Sequence, residues 1–161
     1  MVKYYNSMVV FEEIPDEITL SINITNCPCH CPDCHSKFLW KDIGTELTKD
    51  ELNNLIKSND GITCVCFMGG DANPKEINEL AEAINANNTY WHKPLKVAWY
   101  SGKDELSKDI NVGVFNYIKL GHYDKNLGPL NKETTNQRLY EVFMREDGEF
   151  ELKNITNKFW K

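Results

Sequence analysis

Four of the six cysteines of this 161-residue chain lie in one short stretch, Cys27-Pro28-Cys29-His30-Cys31-Pro32-Asp33-Cys34-His35. The prolines, His30 and Asp33 between the sulfurs build no apolar face, so packing does not explain the crowding. A loop carrying several thiolates is what a metal ion or an iron–sulfur cluster requires. The frame Cys27-x-x-x-Cys31-x-x-Cys34 leaves Cys29 as an extra. Any fold this chain adopts must present that loop from a rigid element.

The element is legible just upstream. Ile18, Leu20, Ile22 and Ile24 alternate with polar residues, which predicts a strand with one buried face ending at the loop. Met8-Val9-Val10-Phe11 reads as a short edge strand. Downstream, Thr48 and Glu51 have capping-box spacing, and Leu52, Leu55 and Ile56 continue as a helical stripe to Asp60-Gly61. The uncharged run from Ile62 to Met68 predicts a strand buried on both faces, ending at Gly69-Gly70-Asp71. Pro74 at a first helical position opens a second helix with Ile77, Leu80, Ala81 and Ile84 on its apolar face. Leu95 to Tyr100 and Tyr117 to Leu120 read as further strands, with a short helix expected at Lys103 to Leu106. Arg138 to Met144 and Glu149 to Ile155 read as a hairpin across Asp147-Gly148.

Strands alternating with helices signal βαβ units, whose chemistry gathers at the C-terminal strand ends. The cysteine loop, Gly69-Gly70-Asp71 and Ser101-Gly102 all follow strands and are expected on one edge. The expected class is α/β: a partial, open β/α barrel with a mostly parallel sheet and a short C-terminal hairpin or strand extension, in one domain over residues 1–161. A chain of this length buries roughly 70% of its extended surface on folding.

The formal net charge of −6 speaks against a nucleic-acid or anionic membrane surface. No apolar run approaches the ~20 residues that cross a bilayer. The first residues lack the basic-then-apolar order of a signal peptide, so the expected compartment is the cytoplasm, where thiols stay reduced.

Three chemistries fit the cysteine loop. A structural zinc site needs a fourth ligand, and Cys64 and Cys66 read instead as buried small hydrophobes in a strand. A redox pair, Cys31 and Cys34, leaves Cys27 unexplained. A [4Fe–4S] cluster on three thiolates leaves one iron open. His30 and His35 read as polar loop residues or second-layer contacts, and Asn26 as a turn former. Trp40, Trp91 and Trp99 read as core or interface aromatics, Trp99 as core.

Cys27, Cys31 and Cys34 after a first strand, with Gly69-Gly70-Asp71 after the next, resemble the radical S-adenosylmethionine (SAM) superfamily. Trp99-Tyr100-Ser101-Gly102, Leu127-Gly128-Pro129-Leu130 and Thr134-Thr135-Asn136-Gln137-Arg138 resemble its anaerobic ribonucleoside-triphosphate reductase activating proteins, from about Val9 to Phe143. The resemblance implies a [4Fe–4S] cluster on Cys27, Cys31 and Cys34, and SAM held by Gly69, Gly70, Asp71 and Ser101, with Asp33 beside the adenine. Asp71 stands where the superfamily has a glutamate, and Asp33 where many members have an aromatic. The implied reaction is reductive cleavage of SAM to a 5′-deoxyadenosyl radical that generates a glycyl radical on the reductase. The implied partners are that reductase and a low-potential electron donor such as flavodoxin or ferredoxin. The loop from Gly121 to Asn136 is the expected surface for covering SAM or docking the reductase. The alternatives are another small radical SAM enzyme, such as the activase of a different glycyl-radical enzyme, and a zinc-stabilised interaction domain without enzymatic activity.

Overall fold

The computed structural model describes residues 1–88 and 94–160; Trp91 lies outside them. One eight-stranded sheet carries the fold. Its strands are β1 (Lys3–Val10), β2 (Thr19–Ile24), β3 (Thr45–Glu46), β4 (Cys64–Met68), β5 (Lys96–Tyr100), β6 (Tyr117–Leu120), β7 (Arg138–Met144) and β8 (Phe150–Asn154), in the spatial order β3-β1-β2-β4-β5-β6-β7-β8. Two helices join the parallel strands, α1 (Lys49–Lys57) between β2 and β4 and α2 (Pro74–Ala86) between β4 and β5.

Parallel pairing is confined to β2-β4, β4-β5 and β5-β6. The four remaining pairings are antiparallel, so the sheet is mixed rather than mostly parallel. The reason lies at its flanks. β1 spans eight residues; Lys3 and Tyr4 also pair with the two-residue β3, while the Met8–Val10 end pairs with β2 alone and is the sheet edge there. The C-terminal hairpin adds β7 and β8 on the other side.

Both helices begin as their sequences dictate. Thr48 Oγ1 accepts the Glu51 N–H at 3.0 Å, and Asn73 Oδ1 accepts the Glu76 N–H at 3.3 Å ahead of Pro74. Leu52 and Ile56 of α1 and Ile77, Leu80, Ala81 and Ile84 of α2 bury against Leu20, Ile22, Val65, Phe67, Val97 and Trp99. Each such aliphatic side chain contributes about 1.5–3 kcal/mol of burial.

The opposite sheet face is also covered, so β2 does not have one buried face and one wet one. Thr19 and Ser21 are buried. Beside them, Cys64, Cys66, Ala98, Tyr100 and Tyr117 pack with Ile14, Leu139 and Ile155. The segment before β2 and the turn Thr156–Phe159 cap this face.

At the N-terminal ends of the parallel strands, buried Glu17 draws three segments together. Its Oε1 accepts from Lys96 Nζ at 2.5 Å and Tyr117 O–H at 3.2 Å, and its Oε2 accepts from Thr63 O–H at 2.5 Å. Glu17→Ala removes the acceptor of the Thr63 and Tyr117 hydroxyls, of which Thr63 keeps its contacts with the Ile18 backbone, while Lys96, with its side chain 47% exposed, stays solvated. The expected loss in urea denaturation is roughly 2 kcal/mol. Lys96→Ala is expected to lose less than half of that.

Candidate iron–sulfur site

The cysteine loop leaves β2 through Asn26, whose φ of 62° lies in the left-handed region, and turns again at His30, φ 45°. Two backbone bonds close its base: Asn26 N–H donates to Lys41 O and Cys27 N–H to Leu39 O, both at 3.0 Å. Between them the short 3-10 turn Lys37–Trp40 forms a floor, and the His30 ring stacks on Trp40 with centroids 4.5 Å apart. Cys34 N–H donates to Cys31 O at 3.0 Å, and Ser36 N–H donates to Cys34 Sγ at 3.3 Å.

Cys27, Cys29, Cys31 and Cys34 are all free thiols, each half-buried. The Cys29 side chain and the Cys29 and His30 amides hydrogen-bond the Cys27 sulfur and pull its pKa down to about 6, against a desolvation that raises it. Cys29, the donor of that pair, is correspondingly pushed up. A sulfur stabilised as thiolate suits iron. The buried Nε1 of Trp40 has no hydrogen-bond partner among the described residues, and a bound group bearing sulfur acceptors fits that donor. The loop thus suits a cluster by its donor number and by its chemistry. The described residues contain no preassembled group of three or more His, Cys, Asp or Glu side chains that holds a metal ion. Cys64 and Cys66 lie fully buried in β4, where burial pushes both thiols up. They behave as small hydrophobes.

The next two strand ends meet this loop. Gly69 and Gly70 follow β4 with φ of 108° and 99°. Gly69 N–H donates to Tyr100 O at 2.9 Å, and Trp99 Nε1–H donates to Gly69 O at 2.8 Å, which fixes the turn to β5. Asp71 Oδ1 accepts from Ser101 O–H at 2.5 Å, and Asp71 Oδ2 from Gly102 N–H at 2.8 Å. Cys29 Sγ stands 3.7 Å from the same Oδ2. Ser101 is buried and links the end of β5 to Asp71. Asp33 is exposed on the loop and pairs with Lys125 at 3.6 Å.

Two cavities flank this meeting point. One of about 510 Å³ is bounded by Asp71, Pro74, Trp99, Ser101 and Lys103. The other, of about 780 Å³, opens on the sheet face away from the helices, over Tyr100, Lys119, Gln137, Leu130 and Phe159. Lys119 was not anticipated from the sequence. It is 7% exposed, donates to Gly121 O at 2.9 Å and lies over the Tyr100 ring. Desolvation pushes its pKa below the ordinary lysine value, opposed by the negative charge of Asp71 and of Cys31. The signal was a lone lysine inside the otherwise apolar strand Tyr117-Ile118-Lys119-Leu120.

Other expectations change. Lys103 to Leu106 form bends, not a helix, because Lys103 O accepts from Gly121 N–H at 2.7 Å. Asp104 instead pairs with His122 Nδ1 at 2.8 Å. In the Thr134-to-Arg138 segment, Arg138 Nη1 donates to the carbonyls of Thr135 and Gln137, and Asn136 Nδ2 to His122 O. These side chains hold the loop's own backbone.

Residues 18–140 match the family model of the 4Fe-4S single cluster domain. The chain belongs to that family. This 4Fe-4S single cluster domain therefore covers β2 through the start of β7, with the cysteine loop, Gly69-Gly70-Asp71 and Ser101 all inside the matched span. Neither a curated protein nor a solved structure matches the chain. Among the described residues no helix is long and apolar enough to cross a membrane.

Proposed function

We propose that this 4Fe-4S single cluster domain is a radical SAM activase, which holds its cluster on Cys27, Cys31 and Cys34 and generates a glycyl radical on an anaerobic ribonucleoside-triphosphate reductase. The observation that carries the reading is the meeting of the cysteine loop with the two following strand ends, at Cys29, Asp71, Ser101 and Gly102. Three thiolates leave one coordination position for SAM. With SAM there, the reduced cluster would supply the electron for its reductive cleavage to methionine and a 5′-deoxyadenosyl radical, and that radical would take a hydrogen atom from a glycine of the reductase.

The chain's own tasks follow. Gly69 and Gly70 supply the left-handed backbone, φ 108° and 99°, that turns the chain from β4 to Asp71 at the strand ends. Asp71 and Ser101 border the ligand position, and Asp33 sits on the loop beside it. The 780 Å³ cavity, lined in part by Pro129, Leu130 and Asn131 of the 121–136 loop, offers the reductase segment a place to dock. Buried Lys119 brings a positive charge toward the anionic cysteine loop, a means of tuning cluster potential. The parallel strands β2, β4, β5 and β6 form the shortened core of an open β/α barrel in this reading. A cytoplasmic flavodoxin or ferredoxin serves as electron donor.

The test is anaerobic reconstitution followed by metal, sulfide and SAM-cleavage assays. The expected product is a brown protein with about four iron and four sulfide per chain, releasing 5′-deoxyadenosine from SAM with dithionite. Mixing with the cognate reductase should give a glycyl radical signal in electron spin resonance. SAM cleavage without that signal moves the assignment to another radical SAM substrate. Stoichiometric zinc without sulfide overturns it.

A further inference from the structure

Cys29 has no place in the three-ligand frame, yet it is the cysteine that touches the other strand ends. Its Sγ stands 3.7 Å from Asp71 Oδ2, within reach of an S–H···O hydrogen bond from the cysteine loop to the end of β4. Asp71 is held in turn by Ser101 and Gly102, and Ser101 Oγ accepts from Lys103 N–H at 3.0 Å. The fit is close: a Cβ on Gly102 would stand 2.8 Å from Cys29 Sγ. Both carboxylate oxygens of Asp71 already accept hydrogen bonds from the chain itself.

We propose that Cys29 is a positioning residue that ties the cysteine loop to Asp71, and through Asp71 to the end of β5. In this arrangement Asp71 is first a clamp on the cysteine loop. Its side chain is one methylene shorter than glutamate, which suits the clamp because it keeps the carboxylate back against Ser101 and Gly102. The inference rests on Cys27 being a cluster ligand, as proposed above, and not on SAM cleavage.

The test follows amide hydrogen exchange at Cys27–Cys34 and Ser101–Lys103 in the full-length apoprotein, and the midpoint potential of the reconstituted cluster. Cys29→Ala is expected to speed exchange in both segments about tenfold, the effect of losing one hydrogen bond to a charged group. It is also expected to shift the potential, since residue 29 lies between the ligands Cys27 and Cys31 and its release from Asp71 loosens the loop that carries them. Cys29→Ser keeps a donor at the same position and should bring exchange back to within about threefold of wild type. Gly102→Ala should reproduce the Cys29→Ala exchange pattern in the wild-type background. It should add little to Cys29→Ala, because the closest neighbours left to the new methyl are the Cβ of residue 29 at 3.4 Å and Asp71 Oδ2 at 3.6 Å. The proposal is overturned if Cys29→Ala leaves exchange and potential unchanged, or if Gly102→Ala does equal damage in both backgrounds. Both readouts are taken without SAM, so an absence of SAM cleavage bears on the activase reading alone.

Discussion

Cys31→Ala is expected to yield a folded but colourless protein that forms no 5′-deoxyadenosine. Removing a thiolate from a three-thiolate set leaves two ligands, and a [4Fe–4S] cluster held by two cysteines is lost on desalting. Cys27→Ala and Cys34→Ala should behave alike, although Cys27 is the thiol pulled down to about 6 and Cys34 is the one that accepts the Ser36 amide. Cys29→Ala should keep iron and sulfide near wild-type content, since Cys29 acts on the ligands rather than as one. The measurement is iron, sulfide and visible absorbance after anaerobic reconstitution of all four variants. The loop is polar and its thiols are half-buried, so circular dichroism and urea midpoints of the four apoproteins should stay close to wild type. A brown, SAM-cleaving Cys31→Ala protein removes the ligand assignment. A colourless Cys29→Ala protein makes Cys29 a ligand and removes the positioning role.

Gly70→Ala has the largest expected effect on stability. Gly70 has φ of 99°, where an L side chain is strained, and a Cβ there would stand 2.5 Å from Ile77 Cγ1 and 2.6 Å from its Cδ1. Ile77 is fully buried under the sheet at the start of α2, so it has no free space to yield into. Backbone strain of about 1–2 kcal/mol and overpacking of about 1–3 kcal/mol give a loss near 3 kcal/mol. Gly69→Ala carries the strain alone, since its nearest neighbour is Ile24 O at 3.4 Å, and should lose less than half as much. In the double variant, Ile77→Ala should recover part of the overpacking. Urea denaturation of the apoproteins measures the series. Equal losses at Gly69 and Gly70 make backbone strain, not the Ile77 contact, the whole effect. Because Gly70 connects β4 to Asp71, its displacement also loosens the clamp on the cysteine loop.

How much of this was legible beforehand depended on the range of the interaction. The strand over Thr19–Ile24, both helices with their Thr48 and Asn73 caps, and the hairpin from Arg138 were readable because alternation, capping and turn chemistry act over a few residues. The edge strand at Met8 extends back to Lys3, beyond the apolar run, because Lys3–Val10 contains no buried residue and its first half carries no core signature. That first half is held by β2 on one side and, at Lys3 and Tyr4, by the distant β3 on the other. The bends at Lys103 to Leu106 escaped for the same reason: the bond that sets them comes from Gly121. Glu17 and Lys119 look like ordinary surface charges until strand order buries them.

The cysteine loop divides along the same line. Sequence alone determined that four thiols stand together after a strand, with a Gly-Gly-Asp turn after the next, because donor type and spacing are local properties. Only the tertiary structure decided that Cys29 faces Asp71, that Asp71 is held by Ser101 and Gly102, and that Lys119 is drawn in beneath them. Those contacts depend on the parallel order β2-β4-β5-β6, which brings together strand ends more than 30 residues apart. That order is chosen by the packing of both sheet faces at once.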